Sequence, residues 1–260
     1  MFINREQVKT AFYKYVCDYD ISNVKIKLKL DHTYRVADMC DAISDDLSLD
    51  ADDRDIAWLS GMLHDIGRFE QLKRFSTFKD SISCDHAELS ADILFKDGYI
   101  KLFTVDDRHN ALIDRVIRLH NKYMLPEDLT ERELMFANIL RDADKIDILK
   151  VTCDTPRTEI YDLPEEAFKT ASITPAVYDD VMSEHNVNRA HSATPIDSVV
   201  SHIAFVFGIV YKESLRQIKS QGYLEKIMSY ESDNPETAEG LAAIRDKVHK
   251  YIDRRLSETD

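Results

Sequence analysis

The sequence predicts an all-α protein, and two observations carry that prediction. Apolar residues recur mostly with a helical period. Only six glycines and six prolines interrupt the 260 residues, so few positions break a long helix. The first helix is expected over about 4–19, where charged residues are mixed into an apolar pattern. The second, over about 31–46, carries Val36, Met39, Cys40 and Ile43 on the stripe that begins at His32. A third, over about 52–65, ends near His64-Asp65, with Gly67 as its stop signal. The fourth, about 86–97, aligns His86 with Leu89, Ile93 and Leu94. The fifth, about 107–121, aligns Leu112, Ile113, Val116 and Ile117 with His120. The sixth, about 131–151, is apolar apart from the charged stretch Arg141-Asp142-Ala143-Asp144-Lys145-Ile146-Asp147. Further helices are expected near 164–171, 176–186, 196–220 and 236–256. Breaks at Asp154-Thr155-Pro156 and Ile173-Thr174-Pro175 divide the chain into a helical core, 1–153, and a helical extension, 154–260. The extension is either a lid or a packing element. Its apolar run Ile203–Tyr211 reads as core.

Composition narrows the function. Hydrophobic residues make up 44%, enough for a sizeable core, and the net charge is -14. An acidic surface argues against nucleic-acid polymers and anionic membranes as partners. It leaves open a small phosphorylated substrate, because bound metal reverses charge locally. The N-terminal stretch has the pattern of neither a signal nor a transit peptide, and no apolar run is long enough to span a bilayer. Cys17, Cys40, Cys84 and Cys153 form no CxxC pair. That usage predicts a reducing, cytoplasmic setting.

Six side chains suit a transition-metal site: His32, the adjacent pair His64-Asp65, His86, His120 and Asp144. Each of His32, His86 and His120 lies on the apolar stripe of its helix, so several helices can deliver imidazoles to one interior point. A lone histidine on such a stripe is more often a hydrogen-bonded core residue, and it is the joint pattern that lifts these six. Carboxylates at Asp142, Asp144 and Asp147 are costly in an apolar helix unless paired. A metal is one partner, and Arg141 or Lys145 is another. Taken alone, the three read as a solvated face. His109, His185, His191, His202, His249 and the cysteines are assigned no chemistry.

Across about residues 28–151, the ordered set His32, His64-Asp65 and Asp144, with flanks Asp31-His32-Thr33-Tyr34-Arg35-Val36, Gly61-Met62-Leu63-His64-Asp65-Ile66-Gly67 and Ala143-Asp144-Lys145-Ile146, resembles the HD-domain metal-dependent phosphohydrolase superfamily. The segments Asp85-His86-Ala87-Glu88-Leu89-Ser90-Ala91 and Leu119-His120-Asn121 resemble the extra ligands of its dinuclear branch. No GYP motif is present, which argues against a cyclic-dinucleotide assignment.

The resemblance implies an HD-domain helical bundle with a helical C-terminal extension. It implies two divalent transition metals, Fe, Mn, Co, Ni or Zn, with Asp65 bridging them. His32, His64 and Asp144 would complete one position, and His86 and His120 the other. Two such ions hold a bridging hydroxide and clamp a phosphoryl oxygen. The implied activity is hydrolysis of a phosphate ester or anhydride, a nucleotide being the favoured substrate. A diiron oxygenase and a catalytically silent nucleotide-binding regulatory module are the alternatives. Asp65, Arg68 and Lys145 are the catalytic candidates, and Arg68, Lys122 and Lys145 the phosphate contacts. For each basic residue an ordinary salt bridge is the competing role. The loop Thr77-Phe78-Lys79-Asp80 is expected at the mouth of the pocket.

Overall fold

A computed structural model describes residues 3–158 and 163–258. Among them there is no strand, as the periodicity predicts. Residues 159–162 of the extension lie outside the described residues. The chain divides into two compact units, Met1–Asp144 and Lys145–Asp260.

In the first unit the helices are α1 (Arg5–Val16), α2 (Val24–Asp46), α3 (Ala51–Leu63), α4 (Ile66–Phe75), α5 (His86–Ala91) and α6 (Asn110–Leu119). The helix α7 (Glu131–Asp154) begins in the first unit and ends in the second. A π-helical turn, Asp92–Lys96, continues α5, and a short 3₁₀ turn, Tyr99–Leu102, follows it. Local chemistry sets several starts. Asn4, Asn23, Asp50 and Asp85 each accept a backbone N–H of the first turn of α1, α2, α3 and α5.

The structure departs from the sequence reading at three places in this unit. First, α2 begins seven residues early, at Val24 rather than 31. Second, α4 occupies residues for which no helix was expected. Third, Gly67 does not stop α3. It lies in the first turn of α4, where a Cβ would stand 2.6 Å from the Ser90 backbone nitrogen. The Gly67 N–H donates to Ser90 Oγ at 2.9 Å, joining α4 to α5.

The core of this unit is built on α2 against α3, α4 against α5, and α5 against α6. Phe12 of α1 meets Phe69 of α4 edge-on, with ring centroids 5.9 Å apart. Arg5 ties α1 to its neighbours by donating to Asp55 and Asp41, both at 2.9 Å, while its guanidinium covers Trp58. Helices α2 and α3 pack tightly at Gly61, where a Cβ would lie 2.8 Å from Ala37 Cα. That approach brings the backbones carrying His32 and His64 together.

The second unit contains α8 (Glu165–Lys169), α9 (Pro175–Met182), α10 (Pro195–Ile203), α11 (Lys212–Gln221), α12 (Tyr223–Met228) and α13 (Pro235–Ser257). The long helix expected over 196–220 is interrupted by a 3₁₀ turn, Ala204–Gly208, and an extended link to Tyr211. Buried Asp197 organises two helix starts here. It accepts from the Thr174 N–H and hydroxyl at 2.9 and 2.6 Å and from the Ala193 and Thr194 N–H groups, both at 2.9 Å. Among the described residues, no helix is long and apolar enough to cross a membrane.

Replacing Gly61 by Ala should force α2 and α3 apart, because the obstructing atom is backbone. The expected loss is about 1–3 kcal/mol of stability, read as a lower midpoint in urea denaturation. An unchanged midpoint would show that the crossing yields freely.

Candidate metal centre

All six sequence-predicted ligands fall in the first unit, and the structure brings them together around Asp65. Each arrives from a helix or helix end. His32 lies in α2, His64 is the C-cap of α3, Asp65 the N-cap of α4, His86 the first residue of α5, His120 the C-cap of α6, and Asp144 lies within α7. The break between α3 and α4 solves the problem of adjacent ligands. Neighbouring side chains on one helix diverge by about 100°, whereas His64 and Asp65 sit where one helix ends and the next begins.

Asp65 is 2% exposed, and its two oxygens face different partners. Oδ2 lies 3.6 Å from His32 Nε2 and 3.5 Å from His64 Nε2. Asp144 Oδ1 closes that set, 3.2 Å from His32 Nε2 and 3.8 Å from His64 Nε2. On the other side, Asp65 Oδ1 lies 3.6 Å from His86 Nε2 and 3.7 Å from His120 Nε2. Those two nitrogens are themselves 3.0 Å apart.

The outer nitrogens are anchored. His64 Nδ1 donates to Gly61 O at 2.8 Å and His120 Nδ1 to Ile117 O at 2.7 Å. His86 Nδ1 meets Asp80 Oδ2 at 2.5 Å. A carbonyl can only accept, so Nδ1 of His64 and His120 carries the proton and Nε2 presents a lone pair inward. Asp80 acts on His86 in the same way. Its carboxyl is held far below the usual range, because the bond from His86 and the charge of Arg68 outweigh a burial that alone would raise it.

These residues fit a metal. Burial lowers both His86 and His120 to about 4, so both are neutral near pH 7. Two neutral imidazoles then face lone pair to lone pair at 3.0 Å, which is repulsive without a cation between them. His64 Nε2 and Asp65 Oδ1 are likewise buried with no hydrogen-bond partner. Donors sharing one ion at metal–ligand distances of about 2.0–2.2 Å stand roughly 3.0–3.6 Å apart, close to the separations found. Two of the His/Asp groupings able to hold an ion are His32, His64, Asp144 and His64, Asp65, His120.

Around this cluster the positive charges are placed unequally. Arg68 Nη1 donates to Gln71 Oε1, Phe78 O and Asp80 Oδ1 at 2.8, 2.7 and 3.0 Å, while its Nε stands 3.5 Å from Asp65 Oδ1. Phe78 and Asp80 of the expected mouth loop therefore fasten Arg68 and His86. Lys122 Nζ donates to Asp85 Oδ2 at 2.8 Å, and Asn121 Nδ2 to Asp85 Oδ1 at 2.8 Å. Lys145 Nζ donates to Gly208 O at 2.7 Å within the second unit.

The sequence reading missed three contributors. Lys29 Nζ lies 2.5 Å from Asp65 Oδ2. Asp80 was read only as part of a loop. Arg141, offered as a partner for the neighbouring carboxylates, interacts electrostatically with Asp142 and Asp144 and also has a second role, donating to the carbonyls of Leu119 and His120 at 3.1 and 3.4 Å and to that of Lys122, closing the end of α6 beside His120. Lys29 precedes His32 by one helical turn, a spacing that could have flagged it. Asp142 and Asp147, read as a solvated face, are buried.

A helical bundle that gathers histidines and carboxylates at its centre offers a donor set able to hold a metal ion. Comparison with known families narrows this further. An HD-domain family model matches residues 30–149, so that segment is similar to a family whose members are mostly metal-dependent hydrolases. No curated protein and no solved structure matches the chain.

The buried histidines set a pH dependence for the metal-free protein. Folded values near 4 lie below the unfolded value of about 6.5, so the unfolded state binds more protons between them. The histidine contribution to stability therefore falls as pH drops through about 6.5 and levels off below about 4. His86 and His120 together should contribute a loss of a few kcal/mol, about 1–3 each. Chelator-treated protein unfolded in urea at pH 7 and pH 5 measures it, and a His120→Asn variant should show a shallower decline.

Proposed function

We propose that this chain is a dinuclear metal-dependent phosphohydrolase acting on a small phosphate ester or anhydride, with a nucleotide as the favoured substrate. One observation carries the reading: the two oxygens of buried Asp65 are divided between two sets of inward-facing imidazoles. His32, His64 and Asp144 would hold one ion, His86 and His120 the other, and Asp65 both. Such a His-rich donor set favours Fe, Mn, Co, Ni or Zn over Mg or Ca. When bound, the ions supply an activated water and offset charge developing on the phosphoryl oxygens.

The protein's own groups prepare that chemistry. The Nδ1 anchors of His64, His86 and His120 keep Nε2 unprotonated and aimed inward. Asp80 ties the orientation of His86 to that of Arg68, because its two oxygens hold one each. Arg68, 14% exposed beside Asp65, offers a planar fork to a phosphoryl group. An acidic chain with net charge -14 gains its affinity for an anionic substrate locally, from the ions and these cations.

Mass-spectrometric metal analysis after Mn or Fe loading and desalting should return two equivalents per folded chain. One equivalent would assign His86 and His120 to structure. In a screen of nucleotides and phosphate esters, Asp65→Ala should lose both metal retention and turnover, and wild-type hydrolysis should persist without oxygen. Full activity in a folded Asp65→Ala protein would sink the proposal, and a strict oxygen requirement would replace hydrolysis with oxygenation.

A further inference from the structure

Lys29 stands out because its charge is directed at a group that the proposed ions also need. It lies on α2, one turn before His32 and on the same face. Its Nζ is 2.5 Å from Asp65 Oδ2, the oxygen that faces His32 and His64. Among the described residues, Asp65 is the only group to which this ammonium hydrogen-bonds. The side chain is 15% exposed, so its flexible stem has a route away from the carboxylate.

Arg68 provides the contrast. Both cations flank the ring of Phe78, with Lys29 Nζ 5.9 Å and Arg68 Cζ 5.7 Å from its centroid. Arg68 is fixed by Gln71, Phe78 and Asp80. Lys29 has no such restraint. A lysine ammonium is a compact point charge on four methylenes and moves readily between acceptors. At 2.5 Å from a ligand oxygen it also repels any incoming dication.

We propose that Lys29 is an exchangeable counter-ion. It neutralises Asp65 before metal enters, gives up Oδ2 to the ion, and then places its ammonium on an oxygen of the substrate's phosphoryl group. The assignment rests on the dinuclear reading above and adds a residue outside the ligand set to it. Arg68 and Lys29 then form a two-cation seat against Phe78, one member fixed and one delivered by metal binding. This explains why a lysine is tolerated so close to a metal-ligand carboxylate. Its charge balances a buried anion in one state and a bound anion in the other.

The test uses the full chain and two probes, Mn²⁺ and inorganic phosphate. Mn²⁺ affinity is measured by competition with a fluorescent chelator for wild type, Lys29→Met and Lys29→Arg. Lys29→Met should bind Mn²⁺ at least about tenfold more tightly, because a nearby positive charge is gone. It should also show a larger Mn²⁺-induced rise in melting temperature. Calorimetric titration of phosphate into the Mn-loaded proteins should show about tenfold weaker binding for Lys29→Met and near-normal binding for Lys29→Arg. If Lys29→Met does not fold, Lys29→Gln is read by the same criteria.

Mn²⁺ binding in wild type with equal or weaker binding in the neutral variant would overturn the counter-ion role alone. Unchanged phosphate affinity would overturn the transfer to substrate. Failure of wild type to bind Mn²⁺, and likewise Fe²⁺, Co²⁺, Ni²⁺ and Zn²⁺, would overturn the dinuclear reading and this assignment with it.

Discussion

The first unit is organised around one buried carboxylate. Asp65 sits at 2% exposure, where an isolated anion is strongly disfavoured, and its ionised form survives only because positive and polar groups converge on it. Burial alone would raise its pKa, yet the charges of Lys29 and Arg68, with the imidazoles of His64 and His86 beside it, hold it well below the usual range. Supplying those partners requires elements distant in sequence, from α2 to α6, to end or turn at one place. The cost of the buried charge is thus coupled to the packing of the whole bundle. A change that separates α2 from α3, or α4 from α5, removes compensation from the carboxylate as well as contacts from the core.

Helix ends do much of this positioning. His64, Asp65, His86 and His120 all stand at helix termini, where the backbone offers carbonyls and N–H groups without intrahelical partners. The last-turn carbonyls of Gly61 and Ile117 accept the outer nitrogens of His64 and His120. The same groups that close the helices therefore fix the imidazole tautomers. Arg141 and Asp85 extend the scheme. Arg141 satisfies carbonyls at the end of α6, and Asp85 joins the start of α5 to Asn121 and Lys122 just beyond α6.

The clustering of the candidate residues was legible because His32, His86 and His120 each announced themselves twice, by type and by place on an apolar stripe, and His64 by its pairing with Asp65. The all-α class was legible for the same reason of periodicity. What remained hidden depended on contacts that periodicity does not carry. Val24-Lys25-Ile26-Lys27-Leu28-Lys29 alternates apolar and charged residues like a strand, which masks the start of α2 and, with it, Lys29. Gly67 resembles a helix stop, but its small size serves the approach of Ser90, and so α4 was not anticipated. Asp80 lies on no apolar helical stripe that would mark its role, and only the folded loop brings it to His86 and Arg68. The break near Gly208 also escaped the pattern, because the apolar run continues unbroken through a change from helix to 3₁₀ turn.

The π-helical turn at Asp92–Lys96 has a consequence for how this fold can vary in length. An extra residue in a helical turn offsets the phase of everything that follows by about 100° without disturbing what precedes it. Upstream, α5 presents His86, Ala87, Ser90 and Ala91 to the interior, while downstream Ile100 and Phe103 enter the core on their own phase. The π turn ends at Lys96, and Gly98, in the left-handed region at φ 80°, redirects the chain into the 3₁₀ turn that carries Ile100. Loss of a single residue between 92 and 96 would restore a regular helix and leave His86 in place, but it would displace the segment beyond Gly98 that carries Ile100 and Phe103 into the core. Insertions and deletions here are filtered by packing downstream of the cluster, so chain length is constrained at a point that touches none of the imidazoles.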